Sequence, residues 1–157
     1  MNIENYCSLC IQKTQDRKDG NAVFWKSSSF EWIGTWRIDL GKPEAISYLY
    51  DKPQVACFAA LKVGQDSGKQ IIIVGTTHIL YSKELGDIKL AQLNLITQWL
   101  SKIKNYVMAG FPDYSISIVF GGDFNSSPNS GIYQYMSEGY YDFKSQNRDQ
   151  ISGQMYA

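Results

Sequence analysis

The stretch Ile116-Ser117-Ile118-Val119-Phe120-Gly121-Gly122-Asp123-Phe124-Asn125-Ser126-Ser127-Pro128 decides the fold. Its first five residues carry the β-branched and aromatic side chains of a strand. Two glycines follow, where a second backbone or a ligand can come close. An acid and an amide then stand two positions apart. On an extended backbone residues i and i+2 share a face. Asp123 and Asn125 are therefore expected to point together out of the strand end, with Phe124 turned the other way into packing. Ser127-Pro128 reads as a helix start, with Ser as cap and Pro in the first helical position. That helix runs to Glu138, and Gly139 ends it.

Upstream, residues 55–63 form a nearly continuous apolar run, suited to a strand buried on both faces. Residues 71–74 supply three isoleucines and a valine. A polar, glycine-containing turn over 64–69 joins the two runs as a hairpin. His78, the only histidine, follows in Gly75-Thr76-Thr77-His78-Ile79-Leu80-Tyr81. Residues 86–104 form the longest helix pattern, capped by Asp87, with Ile88, Ala91, Leu95, Trp99 and Ile103 as its apolar stripe. Closer to the start, strands are expected at 6–12, 22–25 and 30–36. A charged loop over 13–19 and the turn Asp19-Gly20 separate the first two. Residues 37–54 read as irregular, and the chain beyond Phe143 as a polar, ragged end. With no linker and no repeat, residues 1–157 are expected to be a single layered α/β or α+β sandwich domain.

The 157 residues are 44% hydrophobic and 19% charged, which excludes a wholly disordered chain. Fifteen basic residues balance fifteen acidic ones, so bulk charge does not make this a nucleic-acid coating protein. No apolar run approaches the roughly 20 residues that cross a bilayer, and no signal-peptide pattern opens the chain. No membrane role is expected. Three cysteines and one histidine are too few for a disulfide scaffold or an all-protein zinc cluster. A reduced, intracellular setting, cytoplasmic or nuclear, is the expectation. Cys7-x-x-Cys10 has no second pair to complete a metal site, and strand periodicity explains it better. Phe30, Trp32 and Trp36 read as core packing rather than as stacking surfaces for bases. Tyr133, Tyr135, Tyr140 and Tyr141 are read in the same way. Lys83, Lys89, Lys102 and Lys104 read as a solvated helix surface.

A carboxylate can take a proton from water or hold a hard divalent cation. An amide can donate to an oxygen that gathers negative charge. Phosphodiester hydrolysis uses both. The competing reading of Asp123 and Asn125 is a local turn, in which the side chains bond nearby backbone N–H groups. A lone histidine is commonly an ordinary core or surface residue. If the two strands lie side by side, however, His78, Asp123 and Asn125 converge at one sheet end.

Asp19-Gly20-Asn21-Ala22-Val23-Phe24-Trp25, Thr77-His78-Ile79-Leu80-Tyr81, Gly86-Asp87-Ile88-Lys89-Leu90-Ala91-Gln92-Leu93 and Gly122-Asp123-Phe124-Asn125-Ser126-Ser127-Pro128 occur in that order. In combination they resemble the endonuclease/exonuclease/phosphatase superfamily, in the deadenylase-like branch that includes nocturnin and the Angel proteins. The helix start at Asp87 and the string Ile151-Ser152-Gly153-Gln154 resemble the Angel proteins in particular. The likeness covers nearly the whole chain.

This resemblance implies a four-layered α/β sandwich, incomplete at both ends. It also implies a magnesium-dependent (or manganese-dependent) phosphodiesterase, typically a 3′-exoribonuclease or deadenylase acting on the poly(A) 3′ end of RNA in mRNA decay. By the same resemblance Asp123 orients or deprotonates the attacking water and is a candidate metal ligand. Asn125 holds the scissile phosphate, and His78 contacts a phosphate oxygen. Asp19-Gly20 and Gln92 are expected to be structural. The family's Asn-bearing and Glu-bearing strands do not precede Tyr6, no Ser-Asp-His string follows, and Gln54 stands where the family has Asn. The chain is thus expected to be the central part of such a domain, with little or no nuclease activity alone. Its uncovered sheet edge is expected to invite self-association. Two alternatives stand beside this: a non-catalytic protein- or RNA-binding module, and a phosphatase or phospholipid phosphodiesterase of the same superfamily.

Overall fold

The computed structural model describes residues 4–14, 17–41, 52–64, 68–142, 144 and 151–154. Along the chain run β1 (Tyr6–Gln12), β2 (Gly20–Lys26), β3 (Phe30–Asp39), β4 (Val55–Val63), β5 (Gln70–His78), α1 (Gly86–Gly110), β6 (Ser115–Asp123) and α2 (Gly131–Glu138). Most of the polar end beyond Phe143, and most of the irregular stretch between β3 and β4, lie outside the described residues.

Strand β4 is the centre of the molecule. Its first seven residues are all buried, as a continuous apolar run requires when both faces are covered. It pairs antiparallel with β3 on one side and with β5 on the other. Strand β5 then continues through the crossover helix α1 into β6, which lies parallel to it. Parallel neighbours need such a crossover. The four-stranded order is β3-β4-β5-β6, and β1-β2 form a separate antiparallel pair.

Alternate residues of β4 face two cores. Ala56, Phe58 and Ala60 join Ile71, Ile73, Leu93, Ile96, Ile103 and Val107 on the helical side. Cys57, Ala59 and Leu61 pack against Val23 and Trp25 of β2 on the other. The described residues therefore supply a helix layer, a four-stranded layer and a two-stranded layer of an α/β sandwich. Fully burying an aromatic such as Phe58 contributes on the order of 1.5–3 kcal/mol. Gly75 makes room for it, since a β-carbon there would meet the Phe58 ring at 2.1 Å.

Several element boundaries differ from the sequence expectation. Strand β3 reaches Asp39, so the irregular stretch begins later than residue 37. Strand β5 extends through His78, which is its last residue rather than the one after the strand. Helix α1 continues to Gly110 because Val107 carries its buried face one turn further. Leu85, not Asp87, occupies the cap position of α1, without a side-chain cap. Asp87 lies inside the first turn, where its Oδ1 accepts the Ile88 N–H at 2.9 Å. Helix α2 begins at Gly131, not at Ser127-Pro128. Asn129 sits at φ 64°, which breaks any helix started earlier. Ser130 is the cap, accepting the Tyr133 N–H at 3.2 Å. The expected stop at Gly139 holds, with φ 75° and its N–H on the Tyr135 carbonyl. Trp32, on the edge strand β3, is 57% exposed rather than core. Trp36 does pack against the helical core, edge-on to Tyr106.

Candidate active site

The parallel register of β5 and β6 ends on the pair His78–Asp123. The two strands run in the same direction, so both deliver their last side chain to one sheet end. The imidazole Nε2 lies 3.7 Å from Asp123 Oδ2. That is too long for a hydrogen bond and close enough for an ion pair when the imidazole is protonated. Gly122 makes the approach feasible. Its φ is +147°, and a β-carbon there would meet the Thr77 carbonyl oxygen at 2.0 Å. Phe124 turns into the core, edge-on to Phe120 at 5.6 Å, as expected.

Asn125 joins the pair by a different geometry from the one its spacing suggests. It is not extended: its φ is 42°, in the left-handed region. Its backbone N–H donates to Asp123 Oδ1 at 2.9 Å, and its Nδ2 donates to the Ile79 carbonyl at 3.1 Å. The local-turn reading is therefore realised, and the same turn brings Asn125 to the sheet end that carries His78 and Asp123. The turn pins Asn125 beside Asp123 and across to the residue after His78. Ile79 N–H in turn donates to the Asp123 carbonyl at 3.1 Å. Asp123, Asn125, Ser126, Pro128, Tyr133 and Gln154 line an open cleft of about 650 Å³.

Lys89 is the residue the sequence reading missed. It was assigned to a solvated surface, yet it is fully buried. Its Nζ donates to the Asn125 carbonyl at 2.6 Å and to Gln154 Oε1 at 2.5 Å. Burial lowers its pKa from 10.5 to about 8, with the charge of Asp123 acting in the opposite sense. The signal was present: Lys89 precedes Gln92, Leu93 and Ile96 by three, four and seven positions, which puts it on their buried face. The apolar stripe accordingly lies further round than expected, and Trp99 is 39% exposed. Gln92 is structural, as expected: its Oε1 accepts the Leu80 N–H at 3.0 Å.

Lys13 and Asp19 form a second pair missed in the charged loop. Their ion pair spans 2.5 Å, with the Lys13 side chain only 6% exposed. The hydrogen bond from Lys13 holds the Asp19 carboxyl below its ordinary range, and His78 adds a smaller effect in the same direction. Nearby, Asn21 Nδ2 and Thr77 Oγ1 both donate to the Val55 carbonyl, tying β2, β4 and β5 together at this end. Gly20 is structural, since a β-carbon there would strike the Ile11 carbonyl oxygen at 1.9 Å. Cys7 and Cys10 are both exposed on β1. Three positions apart on a strand, they face opposite sides and cannot share an ion.

Among the described residues no three His, Cys, Asp or Glu side chains gather as a metal centre. Magnesium commonly uses one or two carboxylates and takes its remaining ligands from water and substrate phosphate. The exposed Asp123 carboxylate fits the role of a single protein ligand in such a shell.

A carboxylate and a carboxamide line a cleft at the carboxyl end of β6 on a layered α/β sandwich, and the imidazole that ends the adjacent parallel strand lies 3.7 Å from the carboxylate. The proteins that this chain is similar to are those of the endonuclease/exonuclease/phosphatase superfamily, in its deadenylase-like branch, and the likeness spans part of that domain. No protein-family model matches the chain. It is 28% identical over 154 residues to carbon catabolite repressor protein 4 homolog 3 of Arabidopsis thaliana, covering 98% of this chain and 32% of the relative. It is 31% identical over 143 residues to protein angel homolog 2 of Homo sapiens, covering 90% of this chain and 25% of that protein. The crystal structure of ANGEL2, described as a 2′,3′-cyclic phosphatase in complex with adenosine-2′,3′-vanadate, superposes with a TM-score of 0.83 at 30% identity. That match covers 98% of this chain and 42% of that structure. The human Nocturnin catalytic domain with bound sulfate shares the fold, with a TM-score of 0.66 at 23% identity, over 83% of this chain and 47% of that one. The chain thus spans about a third of the length of the first of these curated relatives.

Proposed function

We propose that this chain carries part of the site of a metal-assisted phosphoester hydrolase acting at RNA 3′ ends, as a 3′-exoribonuclease of the deadenylase type. The observation that carries this reading is the meeting of His78 and Asp123, 3.7 Å apart at the joined ends of two parallel strands. Asp123 orients or deprotonates the attacking water, and its exposed carboxylate has the reach for that task. Asn125 and His78 hold the oxygens of the scissile phosphate, the imidazole most strongly when protonated. Bound magnesium or manganese supplies charge neutralisation at the phosphate and a more acidic water, with Asp123 as its ligand from this chain.

A second reading keeps the same site and changes the end group. ANGEL2, described as a 2′,3′-cyclic phosphatase, is 30% identical and superposes over 98% of this chain. That favours hydrolysis of a terminal 2′,3′-cyclic phosphate over removal of adenylates. Both reactions place one phosphate at His78, Asp123 and Asn125.

The decisive assay offers the chain, with magnesium, oligoadenylates ending in a 3′-hydroxyl or in a 2′,3′-cyclic phosphate. Slow, chelator-sensitive turnover of one of the two is expected. It is slow because the described residues bring one carboxylate to the site, and an incomplete catalytic set commonly costs several powers of ten in rate. Shortening supports the exonuclease reading, and ring opening supports the second. Binding without turnover of either, unchanged by Asp123→Asn, would point to a binding module and contradict both. The same proposal takes RNA as partner and an intracellular setting. It further takes the outer edge of β6, which has no strand partner among the described residues, as the contact for a second copy. Sedimentation at rising concentration checks that contact, and a monomer throughout removes it.

A further inference from the structure

The cleft beside Asp123 has an aromatic wall that phosphate chemistry does not need. Tyr133 lines it together with Asp123 and Asn125, and 54% of the residue is exposed. The ring stands on the first turn of α2, where its own N–H is fixed on the Ser130 cap at 3.2 Å. Two neighbouring tyrosines, Tyr135 and Tyr141, are committed elsewhere. The Tyr135 hydroxyl bonds Thr97 at 3.0 Å and Asn94 at 3.2 Å on α1. Tyr141 packs onto Gly131, where a β-carbon would meet its ring at 2.4 Å. Exposed Trp32 is out of range: it pairs with Leu61, six strand residues from Val55 and so about 20 Å from this sheet end.

An exposed aromatic face beside a phosphate-sized polar group is the arrangement that stacks a nucleobase, because every base has a π-face. We propose that Tyr133 is a base-stacking residue of this cleft, so that the reacting phosphate belongs to a nucleotide and not to a sugar or lipid phosphate. The inference rests on the reading of Asp123, Asn125 and His78 as a phosphate site. Stacking is tolerant of base identity, so Tyr133 selects for the presence of a base and leaves the choice among bases to other contacts.

The test titrates adenosine monophosphate, ribose 5-phosphate and inorganic phosphate into the 157-residue chain and into Tyr133→Ala, Tyr133→Phe and Tyr133→Trp. Binding is followed by the NMR signal of the Asn125 side-chain amide, and folding by circular dichroism. Tyr133→Ala is expected to weaken adenosine monophosphate by about tenfold or more, and to leave the two base-free ligands unchanged. The Phe and Trp variants, which keep the ring, retain the wild-type preference. Equal weakening of all three ligands, or no change for adenosine monophosphate, overturns the stacking role. If none of the three moves the Asn125 signal in the unaltered chain, the phosphate site itself fails and the stacking role falls with it.

Discussion

Lys89 shows how one buried charge organises the cleft. Its Nζ bridges the Asn125 carbonyl and Gln154 Oε1, joining α1, the loop after β6 and the segment 151–154. A neutral amine still has two protons, enough for both acceptors. With the folded pKa lowered to about 8 from 10.5, the unfolded chain binds more protons between those two values. The Lys89 contribution to stability is therefore expected to rise with pH from about 8 to about 10.5, by up to about 1.4 kcal/mol per pH unit, opposed above about pH 9 by the raised Cys57 thiol. Urea unfolding at pH 7.5 and 9.5 checks this, and Lys89→Met should erase the rise. At pH 7 that variant leaves two acceptors unpaired, at about 1–3 kcal/mol each, while removing the cost of a buried charge. A net loss of about 1–3 kcal/mol in urea unfolding is expected. The helical spacing of Lys89 marked its burial, but lysine is rarely buried unless it is paired, and its partners, 36 and 65 positions away, were not legible. His78, Asp123 and Asn125 were legible because their strands are strongly patterned and end abruptly in polar groups. The left-handed turn at Asn125 was not, because it depends on the Ile79 carbonyl, which only the sheet brings near.

At the scale of elements, the β5–α1–β6 unit does the positioning. Its register puts His78 opposite Asp123, and the close approach at Gly122 sets where that register ends. Gly122→Ala would combine an unfavourable φ with a backbone collision at the Thr77 carbonyl. It is expected to cost about 1–3 kcal/mol or more and to separate His78 from Asp123. Loss of the Asn125 amide signal's native position, by NMR, reads the second effect independently of stability. A Gly122→Ala chain with native stability and an unmoved Asn125 signal would contradict this. The β4–β5 hairpin was plain in the sequence, since a continuous apolar run and a β-branched run flank a polar turn. Helix ends were less so. Ser127-Pro128 has the chemistry of a helix start, but the Ser127 N–H donates to the Ser152 carbonyl at 3.0 Å, and Asn129 turns left-handed before α2 begins.

Across the whole molecule, the two cores on either side of β4 predict a graded thiol reactivity. Cys57 is sealed between the sheets, and burial pushes its thiol up to about 11, with Cys10 adding to the effect. Cys7 and Cys10 are exposed. Native labelling at neutral pH is expected to modify two thiols and to reach the third only on unfolding, as mass spectrometry would show. Three labels on the folded chain would mean that the β1–β2 layer does not stay closed over β4. Patterning alone led to a layered α/β or α+β sandwich, whereas the packing of β1-β2 on β4 is a long-range pairing that no local signal encodes. Among the described residues no helix is long and apolar enough to cross a membrane, although α1 has 25 residues.

A crystal structure of the chain soaked with magnesium and adenosine monophosphate tests the central claim most directly. The expected result is a phosphate oxygen within hydrogen-bond distance of both the His78 imidazole and the Asn125 amide, with an ion on Asp123. A nucleotide held elsewhere, with His78, Asp123 and Asn125 touching neither ion nor phosphate, would contradict it.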